Sequence, residues 1–348
     1  MKRKLLLCLK LQKKLVQKNK SNHFWLVFFI TLILFLIGCY ASLRFGAINF
    51  KTSDLITVLK NPLKNSNAQD VIFDIRLPRI IAAILVGAAM SQAGAIMQGV
   101  TRNAIADPGL LGINAGAGLA LVVAYAFLGS MHYSTILIVC LLGSVISCLL
   151  VFTLSYTKQK GYHQLRLILA GAMISTLFTS VGQVVTLYFK LNRTVIGWQA
   201  GGLSQINWKM LIIIAPIIIL GLLISQLLAH QLTILSLNES VAKALGQKTQ
   251  LMTAFLLLIV LFLSASSVAL IGTVSFIGLI IPHFIKLFIP KDYRLLLPLI
   301  GFSGATFMIW VDLSSRIINP PSETSISSII SIVGLPCFLW LIRKGKNL

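Results

Sequence analysis

Long apolar stretches recur along this chain, separated by short polar joints. In windows of about 20 residues, the length an α-helix needs to cross a bilayer core, they fall at 24–43, 80–98, 110–128, 134–155, 165–188, 210–230, 250–270, 275–289, 295–313 and 325–342. Glycines and prolines blur the edges between 80–98 and 110–128, and between 250–270 and 275–289. The pattern predicts an all-α polytopic membrane protein with ten transmembrane helices. A basic tail occupies 1–23, a ten-helix body 24–343 carries a polar break at about 235–250, and a short tail follows at 344–348.

Composition agrees: 57% of residues are hydrophobic, 11% are charged and the mean hydropathy is +0.91, which a water-soluble domain of this size would not tolerate at its surface. An even number of crossings puts both ends on one side. Lys2, Arg3, Lys4, Lys10, Lys13, Lys14, Lys18 and Lys20 precede the first span, and Arg343, Lys344 and Lys346 end the last, so both termini are expected in the cytoplasm. Most of the 30 basic residues fall on that side; Arg76, Arg79 and Arg316 fall on the other.

The net charge of +22 does not indicate nucleic acid, because the basic residues are spread over the joints rather than gathered on one face. The leucines and lysines of the first 20 residues fit either an interfacial amphipathic helix on anionic lipid or a disordered tail. No cleavable signal is expected, since the first apolar run is of full spanning length and no A-x-A site follows it. The five cysteines lack C-x-x-C or His-rich spacing, so neither disulfides nor a metal site is indicated.

The glycine-rich stretch "RNAIADPGLLGINAGAG" at 102–118 invites a phosphate-loop reading, but the chain has no G-x-x-x-x-G-K-[ST] string and this stretch follows no strand. Close helix packing explains it better. Gly112 and Gly116 are four apart, as are Gly87 and Ser91, so each pair is expected on one helix face. Asp107 and Pro108 read as a helix start, Asp capping and Pro in the first turn.

A carrier or an intramembrane enzyme needs ionisable or nucleophilic groups within the bilayer. The eight acids are read at or near helix ends, and no carboxylate pair stands out. Among the histidines only His283, after Pro282, invites a role, most simply as a partner for backbone that the proline frees. A polytopic chain without its own engine points to a pathway driven by a separate subunit. The polar break "LSLNESVAKALGQKTQ" offers it a surface: Asn238 could cap a short helix with Glu239 in its first turn, Ala242 and Leu245 as apolar contacts and Gly246 at its end. An ordinary connecting loop is the alternative.

"FDIRLPRIIAAILVGAAMSQAGAIMQGVTRNAIADPGLLGINAGAG" resembles the hallmark region of the iron-siderophore and cobalamin permeases, the FecCD/BtuC type of ABC importer. Further matches, in family order, are "ILAG" at 168–171, "WQAGGLSQINW" at 198–208, "SVAKALGQ" at 240–247, "GTVSFIGLIIPHFIK" at 272–286, "DLSSR" and "GLPCFLWL". The resemblance implies a ten-helix fold, homo- or heterodimerisation around a substrate path, a cytosolic ABC ATPase dimer beneath it and an extracytoplasmic solute-binding protein above. It implies that Arg76, Arg79 and Arg316 meet acidic residues of the binding protein in exposed ion pairs, and that Glu239, Ala242, Leu245 and Gly246 contact the ATPase. It implies no catalytic residue, cofactor or resident metal.

The substrate expected on this basis is a ferric siderophore crossing a bacterial cytoplasmic membrane, with haem or cobalamin as alternatives within the family. An intramembrane lipid-modifying enzyme and an ion-coupled carrier are the readings from other classes. Two motifs depart from the family: Ala104 stands where a proline is usual, implying a less rigid turn, and Ser325 and Ser327 replace the proline and glycine that open the final helix.

Overall fold

A computed structural model of the chain describes residues 24–46, 48–60, 67–157, 161–162, 164–191, 202–289, 292–320 and 322–345. The basic tail, the first four residues of the "WQAGGLSQINW" motif and the last three residues lie outside them.

The apolar segments fold as helices. Helix α1 (Phe24–Arg44) leads to α2 (Thr52–Lys60). A short turn and a π-helical stretch, Val71–Arg76, run directly into α3 (Leu77–Thr101). A 3-10 turn, Pro108–Leu111, precedes α4 (Ile113–Leu128), and α5 (Tyr133–Ser155) follows. Two-residue strands β1 (Tyr156–Thr157) and β2 (Gly161–Tyr162) pair antiparallel, Tyr156 opposite Tyr162. Then come α6 (Gln164–Tyr188), α7 (Trp208–Leu227), α8 (Ala229–Leu235), α9 (Glu239–Ala244), α10 (Thr249–Ile271), α11 (Ile277–Lys286), α12 (Tyr293–Ile317) and α13 (Ile326–Gly345). Among the described residues seven spans are long and apolar enough to cross a membrane: α1, 68–101, α5, 166–188 in α6, α7, α10 and α12. Helices α4 and α11 and the apolar start of α13 are shorter. The predicted 210–230 segment breaks at Leu228 into α7 and α8.

Helix α3 is the central post, packed by α12, α10, α11 and α7. Its span is 83% buried, against 17% for α1, which lies on the rim with Trp310 Nε1 donating to Leu34 O at 3.1 Å. Small residues make this possible, because in lipid helices associate through close contact rather than a hydrophobic force. A Cβ at Gly87 would stand 2.3 Å from Gly304 O, and one at Gly94 would stand 1.9 Å from Gly278 O. Ser91 Oγ reaches Ile300 O at 3.1 Å. Gly87 and Ser91 thus share one face, as expected. Gly112 and Gly116 do as well: a Cβ at either would stand 2.5 Å from Ser147 of α5, although Gly112 itself is the left-handed junction (φ 68°) between the 3-10 turn and α4.

Prolines inside helices leave carbonyls without their usual N–H. Pro298 frees Arg294 O, which Gln226 Nε2 takes at 3.0 Å. Pro282 frees Gly278 O, and Gln98 Nε2, not His283, approaches it and Leu279 O at 3.4 Å. The altered start of α13 is likewise repaired: Ser325 Oγ accepts from Ser328 N at 3.4 Å and Ser327 Oγ donates to Thr273 O at 2.7 Å. At the other departure, Asn103 Oδ1 accepts from Ile105 N at 3.0 Å, so the turn around Ala104 is fixed by a side chain rather than a ring.

Gly94→Val should cost about 1–3 kcal/mol or more through overpacking against Gly278, whereas Gly182→Ala, with only Leu119 Cδ1 nearby at 3.8 Å, should be neutral. Thermal melting of both variants in detergent checks this; equal midpoints would refute the role of the α3–α11 contact.

Candidate functional sites

The three arginines singled out by the sequence are brought together, but not on the surface. Arg76, Arg79 and Arg316 are 4%, 3% and 7% exposed, which corrects the expectation of exposed ion pairs. Arg79 Nε donates to Asp312 Oδ1 at 2.6 Å, and its two terminal nitrogens fork onto Glu323 at 2.5 and 2.9 Å. Arg316 Nη2 lies 2.9 Å from the other Asp312 oxygen and also donates to Ser42 Oγ. Arg76 donates to Leu43 O and Ile48 O and stacks over Phe50 at 4.7 Å. The cluster therefore joins the end of α1, the head of α3, α12 and the connection into α13. Asp312 is 1% exposed within α12, not at its end. Its role was legible from two signals, an acid inside an apolar segment and an i, i+4 arginine, but the partner 233 residues away was not.

A second site surrounds the "ADP" turn. Asp107 caps the 3-10 turn as expected, Oδ1 accepting from Gly109 N at 2.8 Å. Its Oδ2 has no hydrogen-bond partner among the described residues. Burial pushes this carboxyl up to about 6, with the Gly109 N–H pulling the other way. Asn114 Nδ2 donates to Val274 O at 3.1 Å, docking the α10–α11 connection, where Phe276 holds a left-handed backbone at φ 71°. Asp107, Asn114, Ser175, Thr179, Thr273 and Phe276 help line a cavity of about 770 Å³.

The third site is the polar break. Helix α9 opens at Glu239, but Asn238 makes no side-chain cap, contrary to the sequence reading. Ala242 is fully buried, so it packs inward and offers no contact to a partner. Leu245 is 61% exposed, and Gly246 (φ 78°) has open space where a Cβ would stand. A six-residue helix has too few turns for periodicity to reveal which face turns in. Helix α8 beneath it is clamped from three sides: Arg102 Nε donates to Leu235 O at 3.0 Å, Gln247 Nε2 to Gln231 O at 2.9 Å and Tyr293 N to Thr233 Oγ1 at 3.0 Å.

Residues 32–344 match the FecCD transport family. The chain belongs to the FecCD transport family. The Bacillus subtilis iron(3+)-hydroxamate import system permease protein FhuB is 31% identical over 318 residues, 91% of this chain and 82% of that protein. The B. subtilis Fe(3+)-citrate import system permease protein YfmD is 32% identical, covering 95% of this chain and 98% of that protein. The Yersinia pestis hemin transport system permease protein HmuU is 33% identical, covering 91% and 95%. In structure the chain is similar to a metal-chelate type ABC transporter in an inward-facing conformation, with a TM-score of 0.78, 29% identity and coverage of 91% of this chain and 98% of that one. FecCD members are transport permeases rather than enzymes, and among the described residues no cluster of three or more His, Cys, Asp or Glu could hold a metal ion.

This FecCD chain should respond unequally to loss of its ion pairs. Asp312→Ala leaves the buried Arg316 without a carboxylate and Arg79 with Glu323 alone, and should cost about 3–5 kcal/mol, whereas Asp292→Ala, which loses an exposed pair with Arg294 and the cap of α12, should cost about 1–2 kcal/mol. Melting midpoints that fall equally would overturn the distinction. For Asp107, the folded value of about 6 lies above its ordinary 3.8, so the carboxyl's relative contribution is greatest below 3.8 and is lost as pH rises through 6. Asp107→Asn removes that titration while keeping an acceptor for Gly109. Its stability relative to wild type should therefore rise between pH 4 and 7; parallel pH profiles would refute the assignment.

Proposed function

We propose that the chain is one of two permease subunits of an ATP-binding-cassette importer that moves a ferric siderophore inward across a bacterial cytoplasmic membrane. The observation that carries this reading is the FecCD match across nearly the whole chain, together with relatives named for iron(3+)-hydroxamate and Fe(3+)-citrate import. The hemin permease of Y. pestis supports haem as the second reading; cobalamin is a third within the family. In this reading the chain crosses ten times, the three shorter apolar helices included, with both termini and α9 in the cytoplasm. The substrate path runs between two permease subunits, a pair of ABC ATPases supplies the energy, and an extracytoplasmic solute-binding protein delivers the ligand.

Leu245 and Gly246 are the residues of the polar break open to an ATPase, with Glu239 at the head of the same helix; Ala242 supports them from within. The clamps on α8 give a push at α9 a stiff route to α3 and α12. At the opposite end, Arg76, Arg79 and Arg316 remain the proposed docking site for acidic groups of the binding protein. Their burial changes how: such groups must reach into the cluster or exchange with what already fills it. Charge complementarity of this kind chiefly orients docking and speeds encounter.

Vesicles containing the permease should accumulate ferric siderophore only with the matching ATPase and ATP; uptake driven by an ion gradient alone would favour the carrier reading, and lipid turnover would favour the enzyme. Growth rescue of a transport-deficient strain on single ferric siderophores, haem and cobalamin identifies the substrate. Gly246→Trp should leave insertion intact yet lower ligand-stimulated ATP hydrolysis several-fold, and Leu245→Cys should crosslink to the ATPase. Normal hydrolysis with no crosslink would move the coupling site elsewhere.

A further inference from the structure

The charges of the arginine cluster do not balance: Arg76, Arg79 and Arg316 face only Asp312 and Glu323 among the described residues. The two anions also differ in kind. The Asp312 side chain is 1% exposed and fixed in α12, whereas that of Glu323 is 35% exposed and sits on the connection between α12 and α13. The Arg79 guanidinium divides accordingly. Its Nε edge faces the sealed aspartate, and its two terminal nitrogens face the accessible glutamate in the planar, bidentate geometry with which arginine recognises any carboxylate.

Resting on the docking role proposed above, we propose that the outer edge of Arg79 is a binding site for a carboxylate of the solute-binding protein, filled in the resting chain by Glu323, which that carboxylate displaces. Exchange conserves the ion pair, one carboxylate for another, and the cluster's surplus positive charge attracts the incoming acid before it docks. It also frees the α12–α13 connection at a consequential place. Thr324 N donates to Ser315 O at 2.9 Å, and Ser325, two residues beyond Glu323, caps α13. Withdrawal of Glu323 therefore loosens the start of α13 at the moment of docking.

The test uses the permease–ATPase complex in nanodiscs, titrated with the solute-binding protein that co-purifies with it after crosslinking. Glu323→Gln should tighten association about tenfold or more at low salt, and the gain should vanish when Arg79→Ala is combined with it. Glu323→Asp keeps the charge but shortens the reach by one methylene; it should show part of the gain, and it decides the matter if the glutamine variant misfolds. Association unchanged or weakened in both Glu323 variants, while Arg79→Glu weakens it, would overturn the exchange and leave the docking role standing. If Arg76→Glu and Arg79→Glu also leave association unchanged at low salt, the docking role itself fails.

Discussion

Two helices can rest against each other in a bilayer only where their backbones come close, because lipid tails solvate leucine as well as leucine does. In this chain that constraint is met along α3. Gly87 faces Gly304, Ser91 bonds Ile300 O and Gln92 bonds Leu297 O, an antiparallel register along α12. Eight residues from Gly87, and eight from Gly304, the same register brings Arg79 opposite Asp312. At about 1.5 Å per residue that is a lever of about 12 Å. The ionic cluster is therefore placed by the glycine contact: nothing but the missing side chains at 87 and 304 lets the two helices lie close enough for a buried arginine to meet its acid.

The helices themselves were readable from apolar spacing, since a segment that must satisfy its own backbone in lipid has few alternatives to a helix. Gly87 and Ser91 were readable for the same reason, as small residues four apart. The exposure expected for the arginines rests on the resemblance, whereas Arg76, Arg79 and Arg316 are enclosed largely by groups far away in sequence, which spacing does not reveal. Asp312 lay within the predicted 295–313 segment, and an acid there already demanded a cation. Ala242 turns inward on α9, a helix too short for residue spacing to reveal which face is buried.

The structure uses two different solutions for polar groups away from water. Charges are gathered into one cluster, where Asp312 and Glu323 hold Arg79 and Arg316 and backbone carbonyls hold Arg76. The carbonyls that Pro282 and Pro298 free are treated singly, each by a glutamine from a neighbouring helix. The cavity beside Asp107 follows neither solution, since Asp107 Oδ2 and Asn114 Oδ1 are among the buried atoms left without hydrogen-bond partners among the described residues. Such acceptors mark where stability has been given up, and the left-handed Phe276 on the same wall adds to that cost.

The glutamines at the kinks carry a consequence for descent. Pro298 and Gln226 lie on different helices, yet one is the cause and the other the remedy of the same broken backbone bond. They behave as a single inherited character. A lineage that straightens α12 by losing the proline releases position 226 to drift towards any apolar residue. A lineage that first loses the glutamine inherits a defect that restoring it, or losing the proline in turn, repairs. On physical grounds such a pair is constrained to change together, whereas the exposed leucine beside it, Leu227, is free to exchange alone.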